Sequence, residues 1–515
     1  MSLNELVKNL DSYTKSELLG QETTRILRLT FSVNDFDALE DDVLNEALII
    51  HRGYELVQSK ILRDKLLESL KREDLTRFGT PTYDTLKSKY TDLALFVRDF
   101  EIESIYALKS PQDDRLGVER VLPVHNELAA IIAFPHFYQR ILKDRIVGIL
   151  IQNTNQKILA SLPTGAGKTI LALEIIVDIF RIFRVLKKSE INILWLVSSK
   201  ELAEQAFQSF KRIWKQKGDN TVNCRRYFGE FDTLTFDDEP TITFATFSLL
   251  TSRIQSPDVK RLFSETPYLI IDEAHQADAF TYEGALKKYR DNCSNYNILG
   301  LTATPFRGED NEFLHFKQNF DHFLQLTDKY NRPLESPIAY LIEQEFLALI
   351  EYRVLNSSEG KVSEGEHVRT LNQSVLHECK ELISKGENSI IFAKSKSHAI
   401  ALSIFLKKEQ ISNGLIVGET PDVLRKRYLE DFADKNSAMN ILVNHQILST
   451  GIDVPGMNSI MILSEIESPS LALQILGRAM RGPKNGGNKK NTVYLTKENY
   501  NRLCDFKLLE KIVLQ

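Results

Sequence analysis

One short stretch, Ile158–Thr169 (ILASLPTGAGKT), restricts the possible folds of this chain more than any other. An apolar run, Ile158 to Ala160, feeds the turn Pro163-Thr164-Gly165-Ala166-Gly167-Lys168-Thr169, and helically spaced Ile170, Leu171, Leu173, Ile175 and Ile176 follow. The reading is strand, tight loop, helix. Gly165 and Gly167 let successive backbone N–H groups of the loop, including those of Thr164 and Ala166, curl around one anion, and the helix N-terminus adds partial positive charge. Lys168 then meets the β- and γ-phosphates of a nucleotide, and the Thr169 hydroxyl ligates Mg²⁺. The general phosphate-loop pattern asks for a glycine where this chain has Leu162.

A chain of 515 residues has room for roughly three domains. With 43% hydrophobic and 26% charged residues it has the composition of a soluble globular protein. No stretch approaches the roughly 18 apolar residues of a membrane span, and MSLNELVKNLDSYTK lacks the apolar core of a signal peptide, so the expected location is the cytoplasm. Cys224, Cys293, Cys379 and Cys504 form no C-x-x-C pair, which argues against a zinc knuckle or a disulfide framework. The net charge is −5, and its acidity sits in the first 120 residues, which hold 17 Lys and Arg against 23 Asp and Glu. The remainder is balanced, which leaves room for local basic grooves that track a nucleic-acid backbone.

Residues 1–120 read as a mostly α-helical accessory domain. Leu3, Leu6, Val7 and Leu10 fall at helical spacing, as do Val43, Leu44, Ala47 and Leu48, and then Ile61, Leu62, Leu66 and Leu70. Asp41 and Asp42 open a helix and Gly20 closes one. Asp35, Asp37, Asp41 and Asp42 read as a solvated acidic face rather than a metal or nuclease site. The rest of the chain is expected to fold without residues 1–115, because the glycine loop and the strand-like runs all lie beyond them.

Residues 121–330 read as a first α/β lobe. Gln139, in a Tyr-Gln pair ahead of the glycine loop, is placed to put an amide near the nucleotide base. Five buried-type runs, at Ile158–Ala160, Ile191–Val197, Thr241–Phe244, Tyr268–Ile271 and Ile298–Leu301, alternate with helical segments and predict a parallel sheet covered on both faces. In such sheets ligands bind beyond the carboxyl ends of the strands. The fourth run ends in Asp272-Glu273-Ala274-His275. Adjacent carboxylates at a buried strand end need a cation or water. A Mg²⁺ partner for Asp272 and a general-base role for Glu273 on the attacking water answer that need. Phe306 to about Leu334, polar and aromatic, reads as a helical extension, with a strand-separating wedge as the alternative.

Residues 331–515 read as a second α/β lobe without a phosphate loop of its own; the resemblance given below implies that both lobes are RecA-like. Strand-like runs recur at Ser389–Phe392, Leu415–Val417, Ile441–Val443, Ile460–Leu463 and Val493–Leu495. Its expected task is to close over a nucleotide held by the first lobe. Gln474, Arg478 and Arg481 fall at i, i+4 and i+7, one face of a predicted helix, and two arginines with an amide suit a transferring phosphoryl group. Gly482 to Lys490 reads as a flexible basic turn.

Together these stretches resemble superfamily 2 helicases and translocases of the DEAH type. The resemblance runs in family order through Gln139, Pro163–Thr169, Ser198–Gln205, Thr243–Leu250, Asp272–His275, Thr302–Pro305, Ser389–Ser397, Thr450–Pro455 and Gln474–Arg481. Within the superfamily the chain is similar to bacterial DNA-repair helicases and to the motor subunits of type I and type III restriction enzymes. The resemblance implies ATP and Mg²⁺ as cofactors, nucleic acid as partner with DNA favoured over RNA, and Arg481 as an arginine finger. It implies strand-phosphate contacts from Ser199, Lys200, Thr246 and Thr450, nucleotide sensing by Gly451 and Asp453, and coupling through His275, Thr302 and Thr304. Two activities stay open: a helicase of repair or phage defence, or a duplex-DNA translocase that serves a separate nuclease or defence protein without unwinding. A nucleotide-switched scaffold would need a damaged site, which these residues do not present.

Overall fold

The computed structural model describes the chain except residues 1, 33–38, 81, 104–105, 107–116, 125–135, 153, 187–190, 273–278, 304–318, 329, 331, 357–362, 435, 447–455 and 507–515. Two parallel sheets in tandem carry the architecture. The first contains β1 (Val118–Val121), β2 (Gln156–Ser161), β3 (Ile193–Val197), β4 (Val222–Tyr227), β5 (Thr241–Thr246), β6 (Tyr268–Ile271), β7 (Asn297–Thr302) and β8 (His322–Gln325), in the order β1-β4-β5-β3-β6-β7-β2-β8. Only β1, paired to β4, runs antiparallel among them. Each of the five runs read from sequence is a strand, and β3, β5, β6 and β7 are buried along their whole length. That burial on both faces is why they read as continuous apolar runs. His322–Gln325 is a strand beside β2 rather than part of a helical extension.

The second sheet holds β9 (Leu349–Val354), β10 (Ser389–Phe392), β11 (Asn413–Ile416), β12 (Ile441–Asn444), β13 (Ser459–Ile462) and β14 (Lys490–Leu495), all parallel, in the order β11-β12-β10-β13-β14-β9. One apolar cluster runs from the first lobe (Ile158, Leu173, Trp195) through Leu347 to the second (Ile460, Leu476, Met480).

The N-terminal region is helical, as expected. Gly20, at φ +82°, ends the Ser12–Leu19 helix, and the Asp41–Gln58 helix starts with Asp41 and Asp42 in its first turn. It is not a separate body. The Gln21–Phe31 helix packs across both the Glu364–Ser384 and Lys396–Lys408 helices of the second lobe. Leu6, Leu27 and Leu48 share one core with Leu371, Val375, Ile400 and Ile404. Thr23 and Ser397 hydroxyls meet at 3.1 Å, and Arg25 grips Glu364 with one guanidinium nitrogen at 2.8 and 2.7 Å. Removing residues 1–115 would bare this shared core, a cost that the expectation of independent folding leaves out.

Candidate nucleotide site between the lobes

The site forms at the carboxyl ends of β2, β6 and β7. Ser161, last in β2, pairs in register with Thr302, last in β7, and the Leu162 N–H donates to the Thr302 carbonyl at 3.0 Å. The ladder thus reaches into the phosphate loop and fixes where it begins. Gly165 (φ +80°) and Gly167 (φ +78°) occupy the left-handed region that side chains resist. Gly167 caps the Lys168–Val185 helix. Alternating conformations of this kind turn N–H groups towards one centre and form an anion nest at a helix N-terminus.

Gln139 and Tyr138 hold that loop. Gln139 Nε2 donates to the Ala166 carbonyl at 2.9 Å, the Tyr138 hydroxyl donates to the same oxygen at 3.1 Å, and Gln139 Oε1 accepts the His136 N–H at 2.8 Å. A Cβ on Gly167 would lie 2.5 Å from Gln139 Nε2, so the glycine also admits the clamp. Both ends of the Gln139 amide are engaged by protein. Burial raises the Tyr138 phenol well above its ordinary pKa, which keeps it a donor.

Thr169 donates its hydroxyl to Asp272 Oδ2 at 3.0 Å. Asp272 is 6% exposed, and its N–H donates to the Leu196 carbonyl at 3.0 Å, extending the ladder between β6 and β3. A hydroxyl and a buried carboxylate side by side are the hard oxygen donors that Mg²⁺ takes. Lys168 is buried in the same loop, and the buried Thr164 hydroxyl has no hydrogen-bond partner among the described residues. Nest, lysine and oxygen pair fit a phosphate chain carrying a divalent cation.

The second lobe presses on this loop. The Pro469–Ala479 helix, capped by the Ser468 hydroxyl on the Leu471 N–H at 3.2 Å, carries Gln474 and Arg478. Next to Arg478, Gly477 lies against Thr164 so closely that a Cβ there would sit 1.8 Å from Thr164 Cγ2. A Cβ on Gly165 would meet Leu347 Cδ2 at 3.2 Å and the Gly477 carbonyl at 3.4 Å. The predicted single helical face is corrected for Arg481. The helix stops at Ala479, and Arg481 pairs with Leu347 in an isolated bridge. The Ala348 N–H donates to the Met480 carbonyl at 2.8 Å and the Gly482 N–H to the Phe346 carbonyl at 3.2 Å. These bonds to the Phe346–Ala348 segment, with Gly482-Pro483 behind them, end the helix. Gly482–Lys490 is likewise a paired segment and not a free turn: Pro483–Asn485 forms a short 3₁₀ turn, and the Lys484 N–H reaches the Glu345 carbonyl at 3.1 Å.

Ser199, Lys200 and Thr246 gather where β3 and β5 end in register, Val197 opposite Thr246. The Ser199 hydroxyl accepts the Leu202 N–H at 3.3 Å and caps the Lys200–Lys217 helix, while Thr246 Oγ1 accepts from Ser248 at 3.3 Å. Lys200 is exposed. Glu273, His275, Thr304, Thr450, Gly451 and Asp453 lie outside the described residues. Sequence reading gave no role to Gly477, His136, Phe346, Leu347 or Asn485. Gly477 alone carried a signal, since a glycine inside a helix costs stability and marks a close approach.

Two parallel α/β lobes facing each other across a phosphate loop define a tandem RecA-like fold of the helicase class. The family model described as "Type III restriction enzyme, res subunit" matches residues 133–307, and "Helicase conserved C-terminal domain" matches 372–483. The chain thus carries a res-subunit-type domain followed by a helicase C-terminal domain, 133–307 and then 372–483. It is 25% identical over 362 residues to IRC3 of Saccharomyces cerevisiae, whose name is that of an ATP-dependent helicase, covering 67% of this chain and 49% of the relative. It is 24% identical over 389 residues to the type I restriction enzyme EcoKI endonuclease subunit of Escherichia coli, covering 65% and 32%. The chain spans half or less of the length of these relatives. A solved structure of Mss116p bound to ssRNA and AMP-PNP superposes with a TM-score of 0.53 at 17% identity, over 76% of this chain and 80% of that one, a likeness of fold. Among the described residues, no helix is long and apolar enough to cross a membrane.

Proposed function

We propose that this chain is an ATP-dependent, Mg²⁺-requiring nucleic-acid motor acting on DNA in repair or phage defence. The observation that carries the reading is the Thr169–Asp272 pair beneath a glycine nest against which the second lobe's arginine-bearing helix is seated. Bound ATP would supply the γ-phosphoryl group that passes to water, and a Mg²⁺ held by Thr169 and Asp272 would offset the charge of the phosphates. Loop N–H groups and Lys168 hold the phosphates, and Thr169 and Asp272 hold the cation. Glu273 takes the proton of the attacking water. Gln474, Arg478 and Arg481 complete the site from the second lobe, with Arg481 as the finger that stabilises the transferring charge.

Thr302 adjoins the phosphate loop through the β2–β7 ladder, so a shift of the loop reaches the sheet whose strand ends carry the proposed strand-phosphate contacts Ser199, Lys200 and Thr246; Thr450 is the proposed strand-phosphate contact of the second lobe. His275 and Thr304 share this coupling role, and Gly451 and Asp453 sense the nucleotide. Gln139 acts on the nucleotide through its clamp on Ala166. Cytoplasmic location belongs to the same reading. A second reading, a duplex-DNA translocase serving a separate nuclease or defence protein, is favoured by the likeness to a restriction endonuclease subunit and to the res-subunit family model.

Steady-state ATPase rates of wild type and Lys168→Ala with single-stranded DNA, duplex DNA and RNA test the proposal. Stimulation by DNA that is lost in the variant is expected. Unchanged hydrolysis in Lys168→Ala would refute the site. A strand-displacement assay separates the two activities, and DNA affinity should fall steeply with salt because backbone phosphates supply it.

A further inference from the structure

We infer that His136 and Asn485 are positioning residues that register the second lobe's arginine-bearing helix on the phosphate loop; this rests on the motor reading above. His136 precedes the Phe137–Gln152 helix of the first lobe, and Asn485 lies in the paired segment beyond Arg481. His136 Nε2 and Asn485 Oδ1 are 2.8 Å apart. Asn485 Nδ2 donates to the Phe346 carbonyl at 2.8 Å, so Oδ1 is the accepting end and His136 Nε2 carries the proton. The His136 ring also rests on Phe346, centroids 4.4 Å apart, and Tyr138 meets the same ring edge-on at 4.9 Å.

Each end of this bond is rigidly tied to the chemistry. On the first lobe, the His136 N–H fixes Gln139, and Gln139 fixes the Ala166 carbonyl of the loop. On the second, Ala348 to Met480, Gly482 to Phe346 and Lys484 to Glu345 bind the segment around Asn485 to residues 345–348, which lead into β9. Only glycine fits at 482, where a Cβ would lie 2.6 Å from the Glu345 carbonyl. Asn485 thus cannot shift without carrying the end of the Pro469–Ala479 helix with it. Any movement that parts the lobes here breaks the His136–Asn485 bond, and any movement that remakes it returns Gly477 to Thr164. The pair sets where closure stops.

The test measures lobe separation and hydrolysis in the full chain. Lys260→Cys on the first lobe and Lys426→Cys on the second, both exposed sites, take a donor and an acceptor dye in a Cys504→Ser background; Cys504 is the exposed thiol and the other three are buried. Asn485→Ala and His136→Ala should each shift the nucleotide-free population from the short distance towards longer ones by roughly two- to tenfold, what one hydrogen bond is worth. The double variant should be no worse than either single, and His136→Gln, which keeps an N–H donor, should restore the short distance. The KM for ATP should rise by the same factor with kcat nearly unchanged, because the competent closed state is less populated; a merely structural lesion would lower kcat and Tm instead. Unchanged distances in both single variants, or fully additive losses in the double, would overturn the inference. A wild type without ATPase activity would sink the motor reading while leaving the distance result intact.

Discussion

The Thr169 hydroxyl and the Asp272 carboxylate meet at 3.0 Å although 103 positions separate them in the chain. One is delivered by the first turn of the helix behind the glycine loop, the other by the end of β6. If they hold Mg²⁺, removing either donor should weaken Mg²⁺-dependent binding of a fluorescent ATP analogue by roughly 100-fold, since metal contacts to phosphoryl oxygens are worth several kcal/mol. Titration of Thr169→Ala and Asp272→Asn with and without Mg²⁺ reads this. Equal affinity in both conditions for wild type would remove the cation from the site.

Gly477→Ala tests the contact between lobes. The added methyl would fall 1.8 Å from Thr164 Cγ2, which no small adjustment relieves. A helix interior otherwise gains from the change by up to about 1 kcal/mol. The expected result is an unchanged or higher melting temperature together with a larger radius of gyration in solution scattering and a fall in ATPase rate. A variant as compact and as active as wild type would contradict the seating of this helix on the loop.

Deleting residues 2–102 removes Leu6, Leu27, Leu44 and Leu48 from a core they share with Leu371, Val375 and Ile404. Each fully buried aliphatic side chain contributes about 1.5–3 kcal/mol, so the loss exceeds the net stability of an ordinary domain. Aggregation, or a truncated chain that binds a hydrophobic dye, is expected on expression. A soluble, cooperatively melting product would show that the second lobe closes its own core.

Acid should destabilise the protein through two histidines. Burial lowers His51 to about 4, with Lys396 and Arg52 adding to it, and lowers His398 to about 3. The unfolded chain then binds more protons below its ordinary histidine pKa of about 6.5, so stability is complete above that value and is lost as pH falls towards 4 and 3. Between pH 6.5 and 5 each contributes about 2 kcal/mol of loss. His51→Gln should flatten the fall of Tm over this interval; an identical slope in variant and wild type would exclude His51 as a source.

The sheets were legible in the sequence where a strand buried on both faces is built mainly from apolar and β-branched residues, as in β3, β5, β6 and β7. β4 escaped notice for a physical reason. Its sequence VNCRRY places Arg226 in the interior, 1% exposed, where Glu119 at 2.7 Å, Glu204 at 2.8 Å and the Phe207 ring at 3.7 Å receive it, and no neighbour in sequence announces those partners. The phosphate loop was legible because glycine encodes its backbone locally. The end of the arginine helix was not, since Met480 and Gly482 pair with a segment more than 130 residues away. The same holds for the seat of the N-terminal helices, whose apolar spacing gives a face but not its partner.

That seat has a consequence for how the protein comes into being. Thr23 waits for Ser397, 374 positions later, to meet it. At a synthesis rate of about 5–20 residues per second the interval is roughly 20 to 75 seconds. Throughout it the nascent N-terminal helices carry an apolar flank whose natural cover has not been translated, which makes them a chaperone client on the ribosome and makes translation speed a variable of the yield.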